Sequence, residues 1–282
     1  MVCVCGAGTM GTGIAQLSAS RGLKTILYDF DIDAIDKAKT IVGKNLQSLV
    51  EKKKIDDDAR DAIFDRIHFT SNINECKAEM IIEAIVEHAG KKIALFDQLT
   101  AINQNDTIFA TNTSSLSVTE IASKVTNPQR VIGMHFFNPA PVMKLVEVVK
   151  AEKTAEDVVE TVKGLAERFG KVAVVCKDSP GFIVNRVARP YYLESLRLVE
   201  EHAIDVKIID ELFEATGFKL GPFKLMDLIG NDINYAVSCS VYEQMNKPER
   251  LKPSLLQKRK VDNGELGIKT GKGYYDYKTP GK

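Results

Sequence analysis

The sequence of 282 residues has no tryptophan, only four histidines and no net charge, because 38 basic residues balance 38 acidic ones. A balanced charge creates no global field that would attract nucleic acid or an anionic membrane, so we expect neither as a partner. No apolar run is long enough to suggest a membrane span. No signal or transit segment precedes the strand-like run at residues 2–5, so we expect a cytoplasmic location.

The cysteines are few and odd in number, and none forms a CxxC pair; they are Cys3, Cys5, Cys76, Cys176 and Cys239. This usage predicts reduced thiols that pack as small apolar residues of an intracellular protein, and no metal site. Hydrophobic residues make up 44% of the chain, which is enough for a sizeable core. A chain of this length favours two domains over one.

The first part of the chain alternates strand-like and helix-like segments. Apolar runs predict seven strands, at 2–5, 24–29, 66–70, 80–85, 107–111, 130–136 and 171–176. Helical periodicity fills intervals between them, such as 11–22 and 154–170. Such alternation is typical of an α/β fold with a mostly parallel sheet covered by helices on both faces. We expect this domain to span residues 1–178.

The alternation stops at residues 177–186, where Ser179 can cap a helix that has Pro180 at its first position. Beyond that point the periodicity is only helical, at about 181–201, 205–216, 224–245 and 251–262. A segment rich in glycine, lysine and tyrosine follows at 264–278 and is typical of a loop. We therefore expect residues 179–282 to form a smaller, all-helical domain.

The glycines Gly6, Gly8 and Gly11 form a GxGxxG pattern that follows the first predicted strand and opens a helix. In a Rossmann-type dinucleotide site, the first glycine allows the turn, the second lets the backbone approach a pyrophosphate, and the third lets helix and strand pack closely. The helix N-terminus then attracts the phosphates. The intervening Thr9 and Met10 complete the predicted cofactor loop. A glycine-rich turn that binds nothing is the less favoured interpretation.

Asp29 ends the second predicted strand, 23 residues after Gly6. A carboxylate at this place accepts hydrogen bonds from both ribose hydroxyls of a dinucleotide. It would also repel a 2′-phosphate, so the sequence favours NAD over NADP, although a nearby basic residue can override one carboxylate.

His135 lies near the end of the apolar run 130–136, where an aliphatic side chain would pack better. Ligands bind at the carboxyl ends of the strands in such a sheet, so this imidazole could take a carbinol proton as hydride leaves. Glu147 comes twelve residues later, across a bend, and its carboxylate could fix the tautomer of the imidazole. From spacing alone, a buried structural histidine with a structural glutamate is an equally good interpretation.

Two further polar side chains come at the ends of predicted elements. Ser114 follows the run 107–111 and could donate to a substrate carbonyl, although the pattern alone favours capping of the next helix. Asn185 lies in the first turns of an otherwise apolar helix, where it could reach a cleft or satisfy nearby backbone groups.

These motifs together resemble the 3-hydroxyacyl-CoA dehydrogenase family. The matching blocks cover nearly the whole chain in order: GAGTMGTGIA, EAIVE, ATNTSSLS, GMHFFNPAPVMKLVEVV, DSPGFIVNR, GPFKLMDLIGND and KTGKGYYDY. The single-module length is most similar to the bacterial 3-hydroxybutyryl-CoA dehydrogenases of that family. One departure is Cys5, which stands where the family usually has isoleucine.

The resemblance implies a role for each matching residue. His135 is implied as the catalytic histidine, Glu147 as its partner, Ser114 as a contact of substrate and nicotinamide, and Asn185 as a contact near the thioester. Further implied contacts of the dinucleotide are Glu87, Lys92, Asn138 and Lys269. Lys52 is implied to hold the CoA tail, whereas composition alone favours a solvated helix end there.

The implied activity is an NAD-dependent interconversion of (S)-3-hydroxybutyryl-CoA and acetoacetyl-CoA by a homodimer, with the substrate cleft and the dimer contact in the helical domain. One alternative is a dehydrogenase of free short hydroxy acids, but such enzymes often use a lysine on an interdomain helix. Residues 181–191 contain none. Another alternative is a protein that keeps the nucleotide-binding fold without chemistry.

Overall fold

The computed structural model describes residues 1–277 and divides them into two compact units, Met1–Ser179 and the residues from Pro180 onward. The first unit contains one sheet. Its strands are β1 (Val2–Cys5), β2 (Thr25–Tyr28), β3 (Ile67–Thr70), β4 (Met80–Glu83), β5 (Ile108–Thr111), β6 (Val131–Phe136), β7 (Leu145–Lys150) and β8 (Val172–Lys177). Their spatial order is β3-β2-β1-β4-β5-β6-β7-β8.

Strands β1 to β6 are parallel to one another, whereas β7 pairs antiparallel with β6, and β8 runs parallel to β7. The strand order reverses between β1 and β4, which in a Rossmann sheet places the ligand crevice at the carboxyl ends of these two strands. All seven predicted strands are present. The eighth, β7, is the apolar run after the bend, and it returns directly beside β6.

Helices α1 (Thr9–Ser20), α2 (Ile32–Glu51), α3 (Asp57–Asp65), α4 (Ala89–Thr100), α5 (Val118–Ala122) and α6 (Glu156–Arg168) complete the first unit. Side-chain caps begin several of them, because a free backbone N–H at a helix start needs an acceptor. Asp31 caps α2, Asp56 caps α3 and Ser117 caps α5. The main core packs α1, α2 and α6 against the sheet face that carries Val2 and Val4.

The second unit is helical, as predicted, with α7 (Val184–His202), α8 (Val206–Ala215), α9 (Pro222–Ile229), α10 (Asn231–Gln244) and α11 (Leu255–Asp262). Three predicted helix bounds are wrong. The helix predicted from about residue 251 starts at Leu255, after a 3₁₀ turn at Glu249–Leu251. Helix α7 starts four residues after Pro180, because Gly181 and Phe182 have positive φ angles of +73° and +49°. The run 224–245 is two helices, because Gly230 has a φ of +105° and interrupts it.

The predicted loop at 264–278 contains one 3₁₀ turn, Ile268–Thr270, and two isolated β-bridges, and Lys278 lies outside the described residues. The segment is fixed to the helices through Asp227, whose carboxylate accepts the backbone N–H groups of Tyr274 and Tyr275 at 3.0 Å. None of the helices within residues 1–277 is both long and apolar enough to cross a membrane.

Candidate active site

The glycine loop between β1 and α1 has the geometry of a phosphate-binding turn. Gly6 has a φ of +108°, and a Cβ there would lie 2.5 Å from the carbonyl oxygen of Ala84. A Cβ on Gly11 would lie 1.7 Å from the carbonyl oxygen of Gly6, so helix and strand can approach only through glycine. At Gly8, in contrast, a Cβ would meet nothing within 4 Å. The loop therefore leaves open space in front of the helix.

The N-terminus of α1 faces that space without a side-chain cap. Gly8 is the capping residue and supplies no side-chain acceptor, and Thr9 and Met10 form the first turn. The N–H groups of an uncapped first turn, together with the helix dipole, bind phosphate oxygens. The loop therefore fits the pyrophosphate of a dinucleotide.

Asp29 follows β2 and lies beside the glycine loop. Its Oδ2 accepts the backbone N–H of Ala7 at 2.7 Å, and its Oδ1 accepts that of Asp31 at 3.1 Å. These bonds fix the carboxylate while leaving lone pairs for ribose hydroxyls. The next residue, Phe30, is 85% exposed, a feature that the sequence analysis did not single out.

A buried ion pair lies behind the loop that follows β4. The Nζ of Lys92 is 2.6 Å from Oε1 of Glu83, and both side chains are almost completely buried, at 1% and 0% exposure. Thr111 donates its hydroxyl to the other oxygen of Glu83 at 2.6 Å. The same ammonium lies 3.3 Å from Oε2 of Glu87. Lys92 therefore links the sheet to the loop that carries Glu87.

Glu87 in turn holds the segment that carries Ser114. Its Oε1 accepts the hydroxyl of Thr113 at 2.6 Å and the backbone N–H groups of Ser114 and Ser115 at 3.0 and 3.2 Å. The cap of α5 is Ser117, whose Oγ accepts the N–H of Glu120, so the capping interpretation of Ser114 is wrong. Ser114 lies three residues before that cap, half-buried at the carboxyl edge of the sheet.

The two carboxylates of this network differ electrostatically. Burial raises the pKa of Glu83, although the nearby Lys92 charge opposes the shift. Burial would also raise the pKa of Glu87, but the charge of Lys92 and the hydrogen bonds from Thr113 and Ser114 outweigh it and lower that pKa. Glu87 therefore stays ionised and acts as an acceptor for the serine segment.

His135 and Glu147 face each other across the β6–β7 pair. They are direct partners in the antiparallel register, and Nδ1 of His135 lies 2.7 Å from Oε2 of Glu147. Both side chains are buried, at 6% and 1% exposure. A carboxylate can only accept at this position, so Nδ1 carries a proton and donates it to Glu147. The pair thus provides an oriented imidazole.

The strand end beside this histidine is held by residues that the sequence analysis missed. The side chain of Asn112 accepts the backbone N–H of Phe136 at 2.8 Å, which ties the end of β5 to the residue after His135. The ring of Phe137 lies 4.5 Å from the imidazole, centroid to centroid. Asn112 belongs to the same ATNTSS block as Ser114, and that polar block was the available signal.

The remaining predicted site residues differ in exposure and in their local partners. Asn138 is exposed and precedes Pro139 through a cis peptide bond, and Lys52 is exposed at the C-terminal cap of α2. In the second unit, Asn185 is the second residue of α7 and half-buried, and its carbonyl accepts Nε of Arg189 at 3.0 Å. Lys269 forms an ion pair with Asp232 at 2.6 Å.

The chain matches two family models over almost all of its length. Residues 1–179 match the model described as 3-hydroxyacyl-CoA dehydrogenase, NAD binding domain, and residues 181–277 match that of the 3-hydroxyacyl-CoA dehydrogenase C-terminal domain. The chain belongs to the 3-hydroxyacyl-CoA dehydrogenase family. The resemblance found in the sequence is confirmed, and so are the fold class and NAD as the cofactor of the first unit.

Known family members align with nearly the whole chain. It is 45% identical to 3-hydroxyadipyl-CoA dehydrogenase of Escherichia coli K12, over 98% of this chain and 59% of that protein. A crystal structure of E. coli K12 3-hydroxybutyryl-CoA dehydrogenase matches with a TM-score of 0.96 at 44% identity, over 100% of this chain and 60% of that one. The chain thus spans about three-fifths of each of these two relatives.

A family member of equal extent is the (S)-3-hydroxybutyryl-CoA dehydrogenase of Ralstonia eutropha. Its crystal structure matches with a TM-score of 0.94 at 35% identity, and the match covers 99% of both chains. The two units described above therefore correspond to nearly the whole of that crystallised chain.

Proposed function

We propose that this family member is an NAD-dependent oxidoreductase that interconverts (S)-3-hydroxybutyryl-CoA and acetoacetyl-CoA. The observation that carries the proposal is the buried His135–Glu147 pair, at 2.7 Å, near the carboxyl edge of an NAD-binding sheet. An oriented imidazole at that edge suits proton transfer to and from an oxygen on the carbon that exchanges hydride. Two of the relatives described above are 3-hydroxybutyryl-CoA dehydrogenases, which supports the same substrate.

The chemistry divides between the cofactor and the chain. NAD, when bound, supplies hydride exchange at C3 of the acyl group. In the oxidative direction, Nε2 of His135 takes the proton of the C3 hydroxyl, and Glu147 stabilises the resulting imidazolium through the Nδ1 proton. In the reductive direction, Nε2 returns the proton to the developing alkoxide. We assign Ser114 and Asn185 to positioning the substrate oxygens, with Ser114 also contacting the nicotinamide.

We propose the following residues for cofactor binding. In the first unit, the glycine loop and the α1 N-terminus hold the pyrophosphate, and Asp29 holds the ribose. The remaining contacts that we propose are Glu87, Lys92, Asn138 and Lys269. Lys92 is itself only 1% exposed, so its support is expected to act through Glu87. For the CoA phosphates we propose Lys52, which is exposed beside two further lysines.

The test is a set of initial rates with acetoacetyl-CoA and each reduced cofactor. We expect NADH to give a kcat/KM at least ~10-fold above NADPH, because a 2′-phosphate would lose hydrogen bonds to Asp29 and be repelled by it, at a cost of about 1.5–3 kcal/mol. Free acetoacetate should react far more slowly than its CoA ester. Faster turnover of the free acid would favour a hydroxy-acid dehydrogenase, and NADH binding without any turnover would favour a non-catalytic protein.

A second candidate substrate is 3-hydroxyadipyl-CoA, whose acyl chain is two carbons longer and ends in a carboxylate. The observation in its favour is the 45% identity to the E. coli K12 enzyme of that name. The same assay with 3-oxoadipyl-CoA decides between the two substrates, since the higher kcat/KM identifies the acyl chain that the site accommodates better.

We also propose a homodimer formed through the second unit. This unit carries large apolar side chains that are more than half exposed: Ile208, Leu212, Leu228, Ile233 and Leu255. Exposed apolar side chains that form a continuous patch are typical of protein–protein contacts, and we propose that these do so. Sedimentation equilibrium of the full chain is expected to give twice the chain mass. A single species of monomer mass at micromolar concentration would refute the dimer.

A cytoplasmic location is proposed from the state of the cysteines. All five are free thiols, three of them buried, although two neighbouring sulfurs lie within 3.8 Å. Free thiols so close together are typical of reducing compartments. Recovery of the protein with cytosolic markers on cell fractionation is the expected result.

A further inference from the structure

Three cysteines meet inside the first unit, and none of them is among the residues assigned above. Cys3 and Cys5 lie two residues apart on β1, so both side chains leave the same face of the sheet. Their Sγ atoms are 3.8 Å apart. Cys76 approaches from the connection between β3 and β4, and the three Sγ atoms all lie within 4.8 Å of one another. All three side chains are 0% exposed.

The backbone on both sides of the cluster is held in place. Strand β1 is paired on both edges, with β2 and with β4. The carbonyl of Cys76 accepts Nδ2 of Asn103 at 2.8 Å, and Oδ1 of the same asparagine accepts the N–H of Ala78 at 2.9 Å. The thiols are therefore presented by backbone that is fixed without any ion, which lowers the cost of ordering a site.

The sulfur spacing fits a bound ion. An ion bonded to three sulfurs at ~2.3 Å in a plane sets the sulfurs about 4.0 Å apart, the edge of the triangle around it. The observed spacing of 3.8 Å between Cys3 and Cys5 and the limit of 4.8 Å for the whole group bracket this value. Thiolate ligands in a dry environment select soft ions over Mg²⁺ or Ca²⁺. Little movement is needed for the three sulfurs to bond one ion.

We propose that Cys3, Cys5 and Cys76 form a three-thiolate binding site for one soft metal ion of the class that includes Cu(I), Cd(II) and Hg(II). On binding, each thiol loses its proton to water and its sulfur donates an electron pair to the ion, with no change of oxidation state. The proposal differs from the expectation from the sequence that the cysteines only fill apolar space. Cys76 is 71 residues from Cys5 along the chain, and only the fold brings them together.

The site lies beside the glycine loop without being part of it. Gly6 follows Cys5 directly, and the carbonyl of Cys5 accepts the N–H of Ala84 at 2.7 Å. Because the sulfurs need little movement, a bound ion is expected to leave this backbone in place and to stabilise the folded chain by mass action. The buried position also means that the ion enters only when the β3–β4 connection opens locally, so loading must be followed to equilibrium.

The test uses Cd²⁺ and the full chain with Cys176 and Cys239 replaced by serine, so that only the three cluster thiols remain. We expect one ion per chain, a thiolate-to-cadmium charge-transfer band in the ultraviolet, and a higher Tm. Cys76→Ala in the same background should weaken binding by more than the roughly 10- to 100-fold that outer-shell changes at metal sites cause. NADH affinity, measured without Cd²⁺, checks that this variant is folded.

Cys3→Val provides a second variant, because valine fills similar space and cannot ligate the ion. A band that survives both substitutions, or no band in the background protein, would overturn the site. The isolated protein, unfolded without added reductant, must also show three titratable thiols in that background. Fewer than three would mean that two of the cysteines are held as a disulfide, which would equally overturn the proposal.

Discussion

Replacing His135 by alanine is expected to lower kcat for acetoacetyl-CoA reduction by about 100- to 10,000-fold, the range that positioned acid–base groups contribute. The variant keeps the glycine loop and Asp29, so its NADH affinity should remain close to that of the unaltered protein. Initial rates at saturating substrate and a fluorescence titration with NADH measure the two quantities separately. Near-normal turnover would refute the role of His135.

The chain offers a matched control in a second histidine–glutamate pair. Nε2 of His68 lies 2.7 Å from Oε2 of Glu75, the same separation as in the buried pair, but these side chains are 60% and 43% exposed. An exposed pair contributes little to stability and lies among polar surface groups. His68→Ala should therefore retain nearly full kcat. A comparable loss in both variants would show that the effect at His135 is not specific to its position.

Replacing the partner carboxylate, Glu147, tests the same mechanism with a smaller expected loss in kcat. Glu147→Gln keeps an acceptor oxygen for Nδ1 but removes the charge that stabilises the imidazolium. A hydrogen bond to a charged group is worth about 1.5–3 kcal/mol, which corresponds to roughly a 10- to 150-fold loss in kcat. NADH affinity should be almost unchanged. If it fell sharply, Glu147 would be a structural residue of the sheet.

Local patterns in the sequence predicted the strands of the sheet and suggested that His135 and Glu147 lie side by side. Each strand of the first unit is a short apolar run bounded by polar or glycine residues, and such runs have few alternatives once helices separate them. The twelve-residue spacing of His135 and Glu147 includes a proline-containing bend, and that bend makes them register partners. The expectation that ligands bind at the carboxyl edge of the sheet followed from the fold class.

What the sequence did not reveal depends on contacts between distant segments. The sequence analysis did not predict the ion pair of Lys92 with Glu83, because the two residues come together, buried, only in the folded chain. The break at Gly230 was missed because apolar periodicity continues through it. Asn112 and Thr113 were overlooked because their partners, Phe136 and Glu87, lie on other elements.

Lys92→Met tests whether the buried ion pair supports the site. The substitution is expected to destabilise the chain by about 3–5 kcal/mol, because it leaves the Glu83 carboxylate buried and without its cation. Chemical unfolding measures this loss. Lys91→Met is the matched control, since Lys91 is the preceding residue on the same helix and is exposed, and a surface change of this kind stays within roughly 0.5 kcal/mol.

The double variant Glu83→Gln/Lys92→Met separates the two possible causes of that loss. Glutamine removes the unpaired charge and can still accept the hydroxyl of Thr111, so the double variant should recover more than half of the lost stability. It should not recover NADH affinity, because Glu87 loses the same ammonium, 3.3 Å away, in both variants. Recovery of stability together with affinity would mean that Lys92 serves only the fold. The loss of stability could instead be equally small for Lys92→Met and Lys91→Met. That result would show that Glu83 takes up a proton at almost no cost when its partner is absent. The ion pair would then have no part in holding the segment that carries Ser114.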